Sequence, residues 1–194
     1  MGLALVFGSV ISANTMATVI SPSLNQWYSF DVDEFIAQDA GLGWIDAQVD
    51  SSTNYMGDGS PLSFAFTLSA SSILTLVDGG YAGDIFGVWI NGLYHQSTSV
   101  LVNSQVEAAL DFKSALKNSS FSQLTILLAP GDYIITGELV QSVQDIDGVP
   151  LNATVGGLRI SSVDEPSTLL LMLSMSSIFL LRRYRRLANV ELLK

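Results

Sequence analysis

Hydrophobic and polar residues alternate along much of the middle of the chain. In LSFAFTLS, residues 62–69, the apolar side chains of Leu62, Phe64, Phe66 and Leu68 alternate with smaller residues. Successive side chains of an extended strand point to opposite faces, so a period of two is typical of a strand that is buried on one side. We therefore predict a half-buried β-strand over this segment.

The next segments continue the pattern and lead into a hairpin. SILTLVD at 72–78 predicts a strand that ends at a turn over Asp78-Gly79-Gly80. DIFGVWI at 84–90 alternates again and runs into Asn91-Gly92. This dipeptide is the strongest short signal for a two-residue hairpin, because both turn positions require a positive φ. LYHQSTSV at 93–100 is then the returning strand.

The remaining segments complete an all-β prediction. SQLTILLAPGDYIITGELV at 122–140 alternates on both sides of Pro130-Gly131-Asp132 and predicts a second hairpin. ATVGGLRIS at 153–161 predicts the last strand, and SQVEAALDFKSALKN at 104–118 has the spacing of a short helix across one end of a sheet. Residues 21–50 are expected to supply an edge strand and a long loop. Together these elements predict an antiparallel β-sandwich, jelly-roll-like, with one short helix.

Residues 1–17 have the features of a secretory signal peptide. An apolar run at 3–11 is followed by small residues, and Thr15 and Ala17 fit the two small-residue positions of a signal peptidase site. No basic residue precedes the apolar run. The alternative is that this run forms a buried first strand.

Apolar residues also dominate near the C-terminus, at 169–181. This run of 13 residues contains three serines and no charged residue, so a helix here would have no polar side. It is shorter than the roughly 20 residues of a comfortable membrane span. Four arginines follow directly, and the positive-inside rule would hold them in the cytoplasm. We predict a C-terminal membrane helix followed by a cluster made of Arg182, Arg183, Arg185 and Arg186.

Four residues just before this helix complete a three-part order: Glu165, Pro166, Ser167 and Thr168. Motif, apolar helix and arginine cluster together resemble the PEP-CTERM sorting signal of exported bacterial proteins, with Asp164 where the first proline of the motif is usual. The resemblance implies that 164–194 is a sorting signal processed by exosortase, a membrane-embedded transpeptidase-like enzyme. A permanent single-pass anchor is the alternative. A GPI signal is disfavoured, because it would end in its apolar tail without arginines.

The body, residues 18–163, resembles the central domain of many PEP-CTERM proteins over about residues 60–160. In that domain a strand ends in Asp, and a Gly-Asp-x-Phe segment, an Asn-Gly turn and a Thr-Ser pair follow. A short helix carrying Asp and a Leu-x-Pro-Gly-x-Tyr segment come later. The matching positions here are Asp78, Gly83, Asp84, Phe86, Asn91, Gly92, Thr98, Ser99, Asp111, Leu128, Pro130, Gly131 and Tyr133. The resemblance implies no known activity.

Composition and charge exclude several classes of function. Charged residues make up only 13% of the chain, and there is no cysteine, which excludes disulfides, thiol catalysis and cysteine zinc sites. The net charge is −10. The body holds fifteen acidic against three basic side chains, a net charge of −12. Such a body would repel a phosphate backbone, so we expect no nucleic-acid partner.

Candidate catalytic residues are few. His95 is the only histidine, and no Gly-x-Ser-x-Gly elbow is present to pair with it. Carboxylates that a glycosidase would need occur close together in three places: Asp31 with Asp33 and Glu34, Asp78 with Asp84, and Asp145 with Asp147. Sequence spacing does not place any of these groups across a cleft. We therefore expect a non-catalytic protein, with a hydrolase that depends on His95 as the alternative.

Calcium is the one ligand for which the sequence offers a candidate site. DGGYAGD at 78–84 brings two carboxylates and several backbone carbonyls into a turn, and Ca²⁺ takes many oxygen ligands from loops. Asp78 and Asp84 are the first candidate ligands. QDIDGVPLN at 144–152 is a second candidate or a simple turn, and neither segment has the EF-hand spacing. No other cofactor is expected.

These observations predict an exported protein of the cell surface or extracellular matrix that passes through an inner-membrane intermediate. Its expected partners are an exosortase-like enzyme and extracellular polysaccharide. The alternative is a carbohydrate- or calcium-binding sandwich kept as a single-pass anchored protein. Trp27, Trp44 and Trp89 could form a sugar-stacking platform, although aromatic residues in a β-protein often belong to the core.

Overall fold

A computed structural model describes part of the chain, namely residues 17–32, 41–46, 49–50, 55–99, 108–109, 111–151 and 154–163. Within this part, the backbone is mostly β-structure. Its elements are β1 (Thr18–Ile20), β2 (Trp27–Asp31), β3 (Val49–Asp50), β4 (Tyr55–Met56), β5 (Leu62–Leu68), β6 (Ser72–Gly80), β7 (Ile85–Ile90), β8 (Leu93–Ser97), α1 (Phe112–Ala115), β9 (Gln123–Leu128), β10 (Gly131–Gln141) and β11 (Thr154–Ser162).

Both predicted targeting segments fall outside this part, except that Ala17 of the signal peptide is described. The sorting motif and the arginine cluster from Arg182 to Arg186 also lie outside the described residues, so the structure does not test them. Among the described residues, no helix is long and apolar enough to span a membrane.

Two sheets form a β-sandwich, as the alternating pattern predicts. Sheet A has the strand order β1-β5-β10-β7-β8, sheet B has the order β2-β11-β6-β9, and β3 pairs with β4 in a separate small ladder. Every pairing is antiparallel except that of β1 with β5, which is parallel. The long connection from β1 to β5, which contains three other strands, permits this parallel pairing. The predicted edge strand within 21–50 is confirmed as β2.

The core lies between the sheets and is built from their inward-facing side chains. Phe64 and Phe86 of sheet A face Phe30 of sheet B, and all three are fully buried. Trp44 stacks on Phe30 with ring centroids 3.9 Å apart. A Cβ at Gly137 of β10 would overlap the Trp44 indole, so only glycine leaves room for this ring against the sheet. Burial of such large aromatic surfaces is the main stabilising contribution to a sandwich core.

The first predicted hairpin is confirmed. β7 and β8 pair in antiparallel register, and Asn91 and Gly92 occupy the turn with φ values of +52° and +79°. The Asn91 side chain also fixes the turn to sheet A, because its Oδ1 accepts the Ile134 N–H at 2.7 Å and its Nδ2 donates to the Asp132 carbonyl at 3.1 Å. The turn is therefore held by tertiary contacts as well as by its own φ preference.

The second predicted hairpin is wrong, although both of its strands exist. β9 pairs with β6 in sheet B, whereas β10 pairs with β5 and β7 in sheet A. The Pro130-Gly131 turn therefore carries the chain from one sheet to the other, with the Tyr133 hydroxyl donating to the Ala129 carbonyl at 2.9 Å. Alternation sets which side of each strand is buried, but it does not encode which strand is the hydrogen-bonded neighbour.

The predicted turn at Asp78-Gly79-Gly80 is also wrong. β6 runs through these residues, and Gly79 and Gly80 pair with Val155 and Thr154 of β11. The chain turns after Gly80, over residues 81–84. This strand position holds glycine because the aromatic ring of Phe112 occupies the space that a Cβ would need.

The helix is shorter than predicted. Asp111 is extended and caps α1, accepting the Ser114 N–H at 2.8 Å. Ala108, inside the predicted helix, forms an isolated bridge with Tyr81. α1 packs on the outer face of sheet B, where a small second core gathers around four buried residues: Val77, Ala82, Ala115 and Phe121.

Candidate functional site

The structure brings together the two predicted calcium ligands, Asp78 and Asp84. Asp78 comes near the end of β6 and Asp84 directly precedes β7, so the turn between these strands sets them close. Asp78 Oδ2 accepts the N–H groups of Gly83 and Asp84 at 2.8 and 3.2 Å. Asp84 Oδ1 accepts the N–H of Val143 at 2.6 Å. One oxygen of each carboxyl therefore holds backbone in place.

A chain of buried hydroxyl groups continues from this pair. The Ser122 hydroxyl donates to the Asp84 carbonyl at 2.6 Å, and it lies 2.8 Å from the Thr98 hydroxyl. Thr98 Oγ1 in turn accepts the Phe86 N–H at 3.0 Å. Since Ser122 uses its proton on Asp84, Thr98 must donate to Ser122. This network links β7, the end of β8 and the start of β9, and it gives Asp84 and Thr98 a structural role.

The other oxygen of each carboxyl has no hydrogen-bond partner among the described residues. Both Asp78 and Asp84 are fully buried, and their Oδ1 and Oδ2 atoms, respectively, are unsatisfied. Burial and then the neighbouring Asp84 carboxylate raise the pKa of Asp78 to about 9. Burial, with a further contribution from Asp31, raises the pKa of Asp84 to about 7. Because the two sites interact, they titrate as a pair, and at neutral pH this pair retains at least one proton.

This pair alone is a poor cage for calcium. Ca²⁺ takes six to eight oxygen ligands, and two unsatisfied carboxyl oxygens are present here. The described residues contain no cluster of three or more side chains of the types that bind metals. The calcium site at Asp78 and Asp84 stays a prediction. The geometry shows a buried carboxyl pair whose backbone hydrogen bonds close the β6–β7 turn.

The other carboxylates singled out in the sequence do not converge on a cleft. Asp145 Oδ1 accepts the N–H groups of Asp147 and Val149 at 2.9 and 2.8 Å, so QDIDGVPLN is a simple turn held by its own aspartate. Asp31 lies in β2, with its Oδ1 accepting the Val32 N–H. Asp33 and Glu34 fall outside the described residues.

His95 lies exposed on the edge strand β8. The register of β7 with β8 slips between Val88 and Trp89, which leaves His95 as the extra residue of a β-bulge. No described serine, threonine or aspartate side chain forms a hydrogen bond with it. A catalytic triad built on His95 therefore has no support in this geometry.

The three tryptophans occupy three different environments. Trp44 is only 2% exposed and belongs to the core. Trp27 lies under α1, 5.6 Å from the Phe112 ring and 4.7 Å from the Arg159 guanidinium. Trp89 points away from the core, because Val88 beside it is fully buried and successive strand residues face opposite sides. The predicted three-tryptophan platform is therefore wrong, and one member remains on a surface.

Trp89 forms part of an aromatic and hydroxyl-rich surface on the outer side of sheet A. Its ring lies 5.0 Å from that of Tyr94, its partner on β8, and Tyr94 is 56% exposed. Thr136, opposite Trp89 in register, lines an open groove of about 1030 Å³. The groove is otherwise lined by Ser21, Pro22, Ala65, Phe66, Thr67, Asn91, Gly92, Asp132, Tyr133 and Ile134. We call the aromatic pair and this groove the Trp89 face.

Sequence reasoning missed the groove, although a signal was present. Thr67 and Ile134 are solvent-side positions of their alternating strands, and the predicted turns contribute Asn91 and Asp132. What the sequence did not show is that β5 and β10 are neighbours, which places these positions side by side.

Comparisons with known proteins show remote similarity only. No protein-family model and no curated protein matches the chain. The pre-peptidase C-terminal domain of a collagenase from Bacillus anthracis is similar over 77% of this chain and 99% of its own, with 11% identity and a TM-score of 0.36. A Paenibacillus sp. cycloisomaltooligosaccharide glucanotransferase, complexed with cycloisomaltoheptaose, is similar over 75% of this chain and 20% of its own, with 15% identity and a TM-score of 0.30. The chain thus spans about a fifth of that enzyme, and neither similarity assigns a function.

Proposed function

We propose that this chain is an exported, non-catalytic protein of the bacterial cell surface or extracellular matrix, sorted through a PEP-CTERM-like signal. The observation that carries the proposal is the three-part order of motif, apolar run and arginine cluster within 164–186. An exosortase-like enzyme of the inner membrane is the processing partner, and the short apolar run is a membrane helix held until processing. The jelly-roll-like sandwich is the mature body.

The position of the sandwich within the chain supports this division. β11 pairs with both β2 and β6 and ends at Ser162, just before the motif begins. At the other end, β1 begins at Thr18, directly after the proposed signal peptidase site. The Thr18 N–H donates to the Pro61 carbonyl at 2.8 Å. Cleavage at both sites would remove no strand described in the structure.

The placement of the candidate catalytic groups supports a non-catalytic role. His95 lies in an exposed bulge, the Asp145 carboxylate is used inside its own turn, and the carboxyls of Asp78 and Asp84 each hold backbone N–H groups. A hydrolase would need two such groups facing a bound substrate. None of these groups lines the groove of the Trp89 face.

Mass spectrometry of the C-terminus tests the sorting proposal. The full-length gene is expressed in its native type of host, and the protein is recovered from the inner membrane and from the extracellular matrix. We expect the matrix form to end near Glu165–Thr168. Replacing the four arginines of the cluster with glutamine should trap unprocessed protein. The matched control replaces Lys113 and Lys117, two basic residues of the sandwich, and should leave processing unchanged.

A gain-of-function variant sharpens the same test. Asp164→Pro completes the Pro-Glu-Pro motif, and we expect it to raise the processed fraction. If Arg182 to Lys194 instead persist on wild-type protein in the membrane, the chain is a single-pass anchored protein and the sorting proposal is wrong.

A further inference from the structure

We propose that the Trp89 face binds a neutral polysaccharide, with a sugar ring stacked on Trp89 and the neighbouring sugars in the adjoining groove. The inference goes beyond export and sorting, because it concerns a binding surface of the sandwich itself. It rests on the aromatic pair, the polar lining of the groove and the sign of its charge.

Two neighbours set the position of the half-buried Trp89 ring on the outer side of sheet A. A Cβ at Gly87, two residues earlier on β7, would lie 3.1 Å from the edge of the Trp89 ring. The glycine therefore lets the indole lie close against the sheet. Tyr94 packs at an interplanar angle of 67° and limits the rotation of the ring. A flat aromatic surface of this kind complements the C–H face of a sugar ring at little cost in conformational entropy.

The groove beside Trp89 supplies hydrogen-bonding groups that suit sugar hydroxyls. Thr136 leads from the aromatic pair into it, and Thr67 and Asp132 follow. The Thr67 hydroxyl donates to Asp132 Oδ1 at 2.6 Å, and no described residue bonds the second oxygen of this exposed carboxylate. Ile134, 53% exposed, adds an apolar patch between the polar groups. Ligand-binding sites typically combine apolar surface with a small number of polar groups.

Charge decides between neutral and acidic ligands. Among the residues that line the groove, Asp132 is the charged one and no cation is present. The body around it carries a net charge of −12. This negative charge would repel acidic polysaccharides and nucleic acids, which proteins recognise through Arg or Lys side chains. The groove also has room for several sugar units, which favours a polymer over a monosaccharide. A neutral polysaccharide is therefore the ligand class that fits.

Affinity electrophoresis tests this inference with the full-length protein. The protein is kept in a zwitterionic detergent, because the headgroups of glucoside and maltoside detergents are themselves sugars. The probes are hydroxyethyl cellulose, dextran and a galactomannan, with alginate as the acidic comparison. We expect at least one neutral polysaccharide to retard migration and alginate to have no effect.

Variants show whether Trp89 carries the binding. Trp89→Ala should weaken binding about tenfold or more, and Tyr94→Ala about threefold, as expected for the loss of a stacked ring and of its support. Trp89→Phe keeps a ring, so it should bind while losing the ligand-induced change in tryptophan fluorescence, because Trp27 and Trp44 lie elsewhere. Tyr81→Ala removes a 42% exposed aromatic ring after β6 and is the matched control with unchanged binding.

Two results would overturn the inference. The first is that none of the neutral polysaccharides retards the wild-type protein. The second is that Trp89→Ala and Tyr94→Ala, shown by circular dichroism to be folded, bind as tightly as the wild type. Sorting is scored separately by the mass of the C-terminus, so loss of glycan binding leaves the sorting proposal standing, and the reverse also holds.

Discussion

Both outer faces of the sandwich place a half-buried aromatic ring over glycine, but the ring belongs to a helix on one face and to a strand of the sheet on the other. On sheet B, Phe112 of α1 lies over Gly79 and Gly157, and Trp27 packs beside it. On sheet A, Trp89 lies over Gly87 with the exposed Tyr94 at its side, and no described helix lies on top. Sheet B is thus covered by a helix of the chain, whereas no described helix covers the Trp89 pair. We therefore expect the first surface to contribute mainly to stability and the Trp89 face to contact a ligand.

Carboxyl groups in this protein also differ in burial, and the two buried ones give the largest predicted effect on stability. Burial raises the pKa of Asp78 to about 9 and that of Asp84 to about 7, against an ordinary value of 3.8. Between about pH 4 and pH 9 the folded state therefore holds more protons than the unfolded state. The free energy of unfolding should fall as pH rises through this window, on the order of several kcal/mol in total. Urea unfolding at fixed pH steps measures it.

Neutral variants provide the control for this pH dependence. Asp78→Asn retains an oxygen that can accept the Gly83 N–H, so it should fold and flatten the decline above pH 5. Asp58 is exposed, and hydrogen bonds from Ser60 lower its pKa, so its contribution is lost only as pH falls below its ordinary range. Asp58→Asn should leave the slope from pH 5 to 9 unchanged. A wild-type stability that is flat across this range would contradict the burial of an ionisable pair.

Removing the Phe112 ring from the outer face of sheet B should cost more stability than removing the exposed Tyr94 ring beside Trp89 on sheet A. Phe112→Ala takes a half-buried ring off two strand glycines, and we expect a loss of about 3 kcal/mol in the free energy of unfolding. Tyr94→Ala removes a mostly exposed ring and should cost less than about 1 kcal/mol. Chemical denaturation followed by circular dichroism gives both values. Equal losses would mean that the two faces are buried alike.

Replacing the glycine under each ring with alanine tests the same difference between the two faces, because it places a methyl group between the strand and the ring. A Cβ at Gly157 would lie 2.6–2.9 Å from the Phe112 ring, which is wedged against Trp27, so Gly157→Ala should cost about 2 kcal/mol. At Gly87 the nearest ring atoms are 3.1 and 3.3 Å away, and Trp89 can shift outward. Gly87→Ala should cost about 1 kcal/mol or less and weaken polysaccharide binding.

A double variant separates overpacking from other effects of Gly157→Ala. With Phe112→Ala already present, the added methyl group has no ring to displace, so the extra cost should nearly vanish. An undiminished cost would show that the strand itself, and not the ring, rejects alanine.

The anchoring of α1 should contribute less than the Phe112 ring or the space at Gly157. The Ser114 N–H donates to the Asp111 carboxylate and lowers its pKa. Asp111→Ala should cost about 1 kcal/mol, as for other N-cap losses, while Asp111→Asn, which retains a cap, should cost less. Thermal unfolding of the two variants side by side measures the difference. If Asp111→Ala is as stable as the wild type, Phe112 holds the helix in place without its cap.

Local features of the fold were predictable from the sequence. Side-chain alternation identified β5 and β7, because a strand with one buried face must repeat every two residues. Asn91-Gly92 identified its turn, because two consecutive positive φ angles are inexpensive for these residues. The same reading picked out Asp78 and Asp84 as a pair, since both flank one turn.

Strand pairing and the environment of the site were decided by tertiary structure. The chain after Leu128 crosses between sheets instead of forming a hairpin, and the β1–β5 pairing is parallel, because hydrogen-bonded neighbours are selected by packing across the whole core. That packing set the environment of each tryptophan: Trp44 lies in the core, Trp27 under α1, and Trp89 on the outer side of sheet A. The sequence by itself determined the strands, their apolar sides and the order of the C-terminal segment. Only the three-dimensional arrangement decided which aromatic ring faces solvent, because burial depends on neighbours that are distant in sequence.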